Sequence, residues 1–314
     1  MKFIFKASFI LAFIIPSFIV AQIEIISEEL NLKNDSIHLP GTLSFNENLD
    51  QQALVIYVHG SGNVDRNGNQ AGAIKADYIQ QLSEALNKNG IAFYRYDKRT
   101  ATQENMKYLM QGISFLDFVK DVQVAVEHFK DDSRFSSIVL IGHSQGSLVG
   151  MLALSEDVDK YISIAGPASS IDEIMTKQIR KQNGDSLAGI VDSHFKELDA
   201  TGTIEEVNPM LFQLFNPQNI SFYKSWMIYS PVVEIKKINI PTLIVNGTKD
   251  LQVPVEEAYA LQKAKPDAEL KLIQNMNHVL KHIEKDEDNF ESYNSPDFPL
   301  SEELVEVISS FIKK

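Results

Sequence analysis

The chain has 314 residues, no cysteine and a formal net charge of −13. Without cysteine there is no disulfide, no thiol nucleophile, no lipid attachment through a cysteine and no cysteine-bound zinc. The negative balance, about −15 without Lys2 and Lys6, makes nucleic acid and anionic membrane surfaces poor partners.

Lys2 and Lys6 precede an apolar run, Phe9–Ile15, then Pro16 and the stretch Ser17–Ala21. Residues 1–21 read as a secretory signal cleaved after Ala21. The run is shorter than the ~20 residues needed to span a bilayer, and Pro16 interrupts it. Export to a periplasmic or extracellular location is expected, with no stable membrane insertion. About 290 residues remain, 22–314, enough for one large α/β domain with an insertion.

Residues 22–47 alternate in short polar and apolar pieces and predict a leading antiparallel hairpin with its turn at Leu39-Pro40-Gly41. Ala53–Val58 predicts a buried strand that ends in His59-Gly60-Ser61-Gly62. Residues 76–88 have helical spacing, closed by Asn89-Gly90. Ile91–Tyr96 is the next strand. Residues 114–130 form an amphipathic helix with Phe115, Phe118, Val119, Val122, Val126 and Phe129 on one face. Ser137–Ile141 is a strand, followed by Gly142-His143-Ser144-Gln145-Gly146 and a helical stretch, Ser147–Leu154. Tyr161–Gly166 is another strand.

Residues 169–235 break the alternation. They hold helical patches, the sole tryptophan (Trp226) and several aromatics, but no buried strand, and read as an inserted helical cap. Alternation resumes with a strand at Pro241–Gly247, a helix at about 255–264, a strand at Ala268–Ile273 and a helix at about 301–313. The acidic and polar stretch 284–299 reads as a surface loop. Strands alternating with helices imply an α/β fold: a mostly parallel central sheet with helices on both faces.

Strand, Gly-x-Ser-x-Gly, helix is a nucleophile elbow. It holds the serine in a strained conformation, and the helix aims its N-terminal amides at the point where an oxyanion forms. A serine hydroxyl is a weak nucleophile at neutral pH, so it needs a base, and the base needs an orienting acid. Asp250 ends Asn246-Gly247-Thr248-Lys249-Asp250 after one strand, and His278 ends Gln274-Asn275-Met276-Asn277-His278 after the next. Both lie on the sheet edge that carries Ser144. Asp250 also fits a simple helix cap. His282 competes with His278, which is preferred because it follows the strand end directly.

These motifs, with His59-Gly60-Ser61-Gly62 and Leu251-Gln252-Val253-Pro254, resemble the α/β-hydrolase superfamily. They are similar to its capped serine esterases and lipases, the monoacylglycerol lipase, cinnamoyl esterase and serine-aminopeptidase-like group. The resemblance covers nearly all of residues 22–314 and is weakest across 169–235. It implies a Ser144–Asp250–His278 triad with oxyanion amides at Ser61 and Gln145. Tyr96-Asp97-Lys98-Arg99 resembles a recurring strand end in exported members, although Thr100-Ala101-Thr102 stands where they have a glycine-rich turn.

The expected activity is hydrolysis of a small-molecule carboxylic ester through an acyl-enzyme on Ser144. The alternatives are a serine-aminopeptidase-like peptidase or amidase, with Asp199, Glu205 and Glu206 as amine anchors, and an acyltransferase on the same fold. His59, Arg66, His143 and Trp226 are candidate pocket residues. His59 and His143 also fit packing roles, and Asp65 with Arg66 fits either a pocket ion pair or a loop cap. Phe212, Phe215, Phe222, Trp226 and Tyr229 line an acyl pocket or fill the cap core. His38, His128 and His194 read as surface residues. No cofactor or metal site is expected, and the pattern sets no oligomeric state.

Overall fold

The computed structural model describes residues 24–110 and 112–314; the expected signal at 1–21 lies outside them. The leading hairpin is β1 (Ile25–Asn34) and β2 (Ile37–Asn46). Then follow β3 (Gln52–Val58), α1 (Tyr78–Lys88), β4 (Ala92–Tyr96), the short α2 (Met106–Leu109), α3 (Phe115–Phe129), β5 (Phe135–His143), α4 (Gln145–Ala153) and β6 (Lys160–Ile164). Four helices come next: α5 (Ile171–Asn183), α6 (Asp185–Thr201), α7 (Pro217–Met227) and the short α8 (Pro231–Glu234). The chain closes with β7 (Thr242–Gly247), α9 (Val255–Ala264), β8 (Glu269–Ile273), the short α10 (Asp288–Glu291) and α11 (Glu302–Lys313).

The eight strands form one sheet in the order β1-β2-β4-β3-β5-β6-β7-β8. The β1–β2 and β2–β4 pairs are antiparallel, and all the others are parallel. Side chains alternate across the pleat. Leu54, Ile56 and Val58 of β3 join a core with α3, α4 and α9, while Val55 and Tyr57 join a core with α1 and α11. Parallel strands covered on both faces must be apolar on both, which is why β3 and β5 read as continuous β-branched and aromatic runs. The first core runs without a break into the helices after β6, through Val191, Phe195, Phe215 and Trp226. Among the described residues no helix is long and apolar enough to cross a membrane.

Two expectations are corrected and a third gains detail. The hairpin turns at Asp35-Ser36, with Asp35 at φ 53°, and Leu39-Pro40-Gly41 lies inside β2. Proline is tolerated there because it stands at the end of the β2–β4 ladder: its carbonyl accepts the Asp97 amide at 2.7 Å, and without a proline N–H to return the bond the ladder begins at Gly41↔Tyr96. Gly41 lies against the Tyr94 ring, where a Cβ would stand 2.6 Å from the phenol oxygen. The stretch 284–299 is the expected surface loop, with the short α10 within it and Asn289 and Ser292 buried as its anchors. Asn277 donates to Asn289 Oδ1 (3.0 Å) and Ser292 Oγ (2.8 Å), and Asn289 donates to the Lys249 carbonyl at 2.8 Å. Finally, His194 is buried edge-on against Phe215 and accepts from the Asn208 amide at 3.1 Å.

Candidate active site

Ser144 sits between β5 and α4 with φ 54° and ψ −121°, a left-handed conformation that L residues rarely adopt. The neighbouring glycines explain how the turn closes. A Cβ on Gly146 would collide with the carbonyl oxygens of Val58 and His59, and one on Gly142 with the carbonyl of Gly146. The Ser144 amide donates to the Ile164 carbonyl at 2.9 Å, which ties the elbow to β6. The Ser144 hydroxyl has no protein hydrogen-bond partner among the described residues.

Asp250 follows β7. Its Oδ1 accepts the amides of Gln252 (2.7 Å) and Val253 (2.9 Å), and its Oδ2 lies 2.7 Å from His278 Nδ1. Oδ1 thus closes the loop ahead of α9, whose N-cap is Pro254, so the helix-cap reading is not realised, while Oδ2 faces the His278 ring. His278 follows β8 and is held from behind: His143 Nε2 donates to its backbone carbonyl at 2.8 Å, and the two rings lie 4.8 Å apart. A carbonyl only accepts, so the proton of the His143 ring is on Nε2. His282, four residues on, pairs in an isolated bridge with Met276 and donates its amide to Pro299, away from Asp250.

A cavity of about 420 Å³ contains Ser144, Gln145 and Ser61 in its wall. Trp226 lines it together with Phe118, Phe222 and Tyr223. His59, His143 and Arg66 do not. His59 is fully buried edge-on to Tyr96, and burial followed by the nearby Lys98 charge lowers its pKa to about 3. Burial first, then the charge of His278, pushes His143 well below the usual histidine range. Both rings are neutral packing groups. Arg66 is turned to Asp97, with Nε at 3.0 Å from Oδ1 and Nη2 at 2.8 Å from Oδ2, and reaches Glu29 at 2.5 Å. Asp65 caps its own loop through the amides of Asn67 and Asn69.

Of the aromatics after β6, Phe222 and Trp226 face the cavity, Phe215 is wholly buried against Phe195, and Phe212 is exposed. Tyr229 stands 6.4 Å from the Phe115 ring. Asp199, Glu205 and Glu206 are exposed, and none lines the cavity. Among the described residues no group of three His, Asp or Glu side chains is placed to hold a metal ion.

The residue that sequence reasoning missed is Lys98. Its ammonium donates to the Gly60 carbonyl and to Gln145 Oε1, both at 2.7 Å, lies 4.3 Å from the centre of the Phe118 ring, and reaches the cavity wall. Burial lowers its pKa to about 7. The signals were the resemblance of Tyr96-Asp97-Lys98-Arg99 to a recurring strand end and the run of three charges directly behind a buried strand, and neither gave Lys98 a role.

The family model BD-FAE matches residues 43–264. The acylamino-acid-releasing enzyme of Arabidopsis thaliana is 24% identical over 194 residues, which cover 55% of this chain and 21% of that enzyme; the chain spans about a fifth of the relative's length. Est1E from Butyrivibrio proteoclasticus superposes with a TM-score of 0.56 at 19% identity, over 91% of this chain and 99% of that one. An esterase of Pyrococcus furiosus gives 0.57 at 18%, over 93% and 90%. The acylaminoacyl peptidase of Pyrococcus horikoshii gives 0.58 at 13%, over 95% of this chain and 42% of that one. At these identities the structures establish the fold, which is that of the α/β-hydrolases.

Proposed function

The chain belongs to the BD-FAE family, and from that membership and the geometry behind Ser144 we propose that it is a serine hydrolase cleaving carboxylic esters through an acyl-enzyme. His278 Nε2 takes the Ser144 proton as Oγ attacks the ester carbonyl carbon. Asp250, bonded to Nδ1, holds the ring and stabilises the imidazolium. The carbonyl electrons pass to oxygen, and the amides of Ser61 and Gln145 receive that oxyanion. Collapse of the intermediate expels the alcohol, which leaves with the imidazolium proton, and water repeats the cycle to release the acid. The Ser144–His278 bond closes as substrate seats, since such bonds are commonly long in empty sites. In the same reading the helices after β6 cap the site, and residues 1–21 direct export.

The cavity lining carries the choice of ester over free-amine substrate. Apolar side chains, four of them aromatic, share it with polar groups; among the described residues that line it, Lys98 is the one charged side chain and no carboxylate is present to anchor an ammonium. An acyl group of medium length or an aromatic acid fits such walls. The structurally similar Est1E has been seen with ferulic acid bound.

The test is Ser144→Ala, assayed with a nitrophenyl acyl ester and with amino-acid amides. We expect a loss on the order of 10,000-fold against the ester and little turnover of amides by the unmodified enzyme. Activity of Ser144→Ala within a few-fold of the parent sinks the assignment. Faster amide than ester turnover replaces it with the peptidase reading.

A further inference from the structure

Among the described residues, Lys98 is a buried cation with no carboxylate in ion-pair contact. The nearest acid on α3, Asp121, is engaged by Arg99 at 2.6 and 2.7 Å. Asp97 is turned to Arg66, and His59 at the end of β3 is held neutral by burial. Phe118 presents a ring face, and Gln145 and Gly60 present only oxygens. Removing an ammonium from water without a counter-ion is expensive, so a chain that retains one has a use for it.

The two acceptors indicate that use. Gly60 C=O and Ser61 N–H belong to one planar trans peptide unit, so they point in opposite directions. Fixing the carbonyl on Lys98 fixes the Ser61 N–H on the other side and polarises it as a donor. The second bond holds Gln145, the first residue of α4, whose own amide faces the same developing charge. We propose that Lys98 is a positioning residue of the oxyanion site, orienting and polarising the Gly60–Ser61 peptide and the Gln145 amide toward the oxygen bound over Ser144. The proposal rests on the ester-hydrolase reading above. Negative charge appears one peptide unit from Lys98 only as the tetrahedral intermediate forms, so the effect belongs to the transition state and to kcat rather than to substrate binding.

Lys98 titrates at about 7, so its charge is present below that pH and lost above it. The neutral amine keeps its N–H groups but no longer polarises the peptide. The kcat profile therefore descends as pH rises through the Lys98 titration.

The full chain, Lys98→Met, Lys98→Arg and Ser144→Ala are compared on a nitrophenyl acyl ester between pH 5.5 and 9.5. Lys98→Met is expected to lower kcat about 10- to 100-fold, leave KM within about threefold, and lose the descending limb. Lys98→Arg is expected to recover most of kcat and also to lack the limb, because guanidinium stays charged. A kcat within twofold of the parent in Lys98→Met, a change confined to KM, or a limb that persists in either variant overturns the proposal. If Lys98→Met does not fold by circular dichroism, the limb in Lys98→Arg decides. Loss of activity in Ser144→Ala keeps the underlying reading intact whatever Lys98 does; retained activity there removes that reading and this proposal with it.

Discussion

The strand ends that carry Ser144, Asp250 and His278 are fixed by backbone, whereas the helices between β6 and β7 are fixed by rings. At the elbow, two glycines admit main chain where a Cβ would collide, and the Ser144 amide is tied to β6. Asp250 is held by two amides and His278 by the His143 ring behind it. Across the cavity, Trp226 stacks on Phe115 at 4.8 Å, and Phe195, Phe215 and Tyr223 pack edge to face. Polar ties join those helices to the body as well: Gln178 donates to the Gln252 carbonyl and Lys181 to the Leu251 carbonyl, both at 3.2 Å. Ser225 Oγ accepts the Phe115 amide at 2.8 Å, and Lys177 meets Glu257 at 3.0 Å. Backbone collisions permit one arrangement, while apolar contacts of similar volume exchange at low cost. A fold built this way holds its chemistry constant and lets its pocket vary.

The sharpest way to break the comparison is to remove charge from the rigid side without changing shape. Asp250→Asn keeps both amide acceptor contacts through its remaining oxygen but leaves His278 without its counter-charge or its tautomer. We expect kcat to fall on the order of 1,000- to 10,000-fold, with the melting curve close to that of the parent. A loss below tenfold means that the geometry at β7 and β8 does not act as a unit. Next in size is Gly146→Ala. Its methyl group meets two carbonyl oxygens that belong to β3 and the loop after it, so neither can yield alone. About 3 kcal/mol of destabilisation is expected from overpacking against backbone, read as a shift in the urea midpoint. Exposed apolar residues of the helical segment, Met210 and Ile228 at 78% and 74% exposure, are expected to stay within about 0.5 kcal/mol when replaced by serine.

Acid discriminates between the two regions as well. His59 and His143 lie under the strand ends and are neutral when folded, with pKa values depressed below the ordinary 6.5, to about 3 for His59. The unfolded chain binds protons at both residues below pH 6.5 and the folded chain does not. The stability they permit is whole above pH 6.5 and drains as pH falls, by at most about 1.4 kcal/mol per unit for each ring. Between pH 6.5 and 5 carboxylates contribute little, so thermal melts over that window read these two histidines. A melting temperature that does not fall there shows that the rings take up protons within the fold.

The same division explains what the sequence disclosed. Buried parallel strands must be apolar on both faces, so β3, β5, β6 and β7 stand out as β-branched runs, and the motifs after them were located by counting from their ends. The misplaced hairpin turn arose because Leu39-Pro40-Gly41 has turn composition, yet Pro40 lies just past a ladder and Gly41 yields to the Tyr94 ring. Residues 284–299 were legible as a surface loop, but not their anchoring, because Asn277, Asn289 and Ser292 are polar and bond only across the fold. Lys98 was hidden for a related reason. Lysine is ordinarily a surface residue, and nothing local shows that a strand end points inward at two oxygens. Which of the aromatics at 212–229 face the cavity was equally illegible, since each has the same composition signal and only packing separates Phe222 from Phe215.

A change of selectivity rather than of rate or stability tests the variable side. Trp226 lines the cavity and stacks on Phe115, joining α7 to α3, and it touches none of the groups that Ser144 needs. Trp226→Ala removes wall without removing chemistry. Short acetyl esters, which do not reach the wall, are expected to keep kcat within about threefold, while the preference for longer or aromatic acyl groups over acetyl changes about tenfold, the size of a lost apolar contact in a pocket. Trp226→Phe retains a ring against Phe115 and is expected to fall between the two, which separates loss of wall from loosening of α7. An equal fall in kcat for every ester in Trp226→Ala, with Trp226→Phe unaffected, means that the helices position the nucleophile as well as the substrate. The two regions would then be one mechanical unit, and the contrast between a backbone-held reaction centre and a ring-held pocket would no longer describe the molecule.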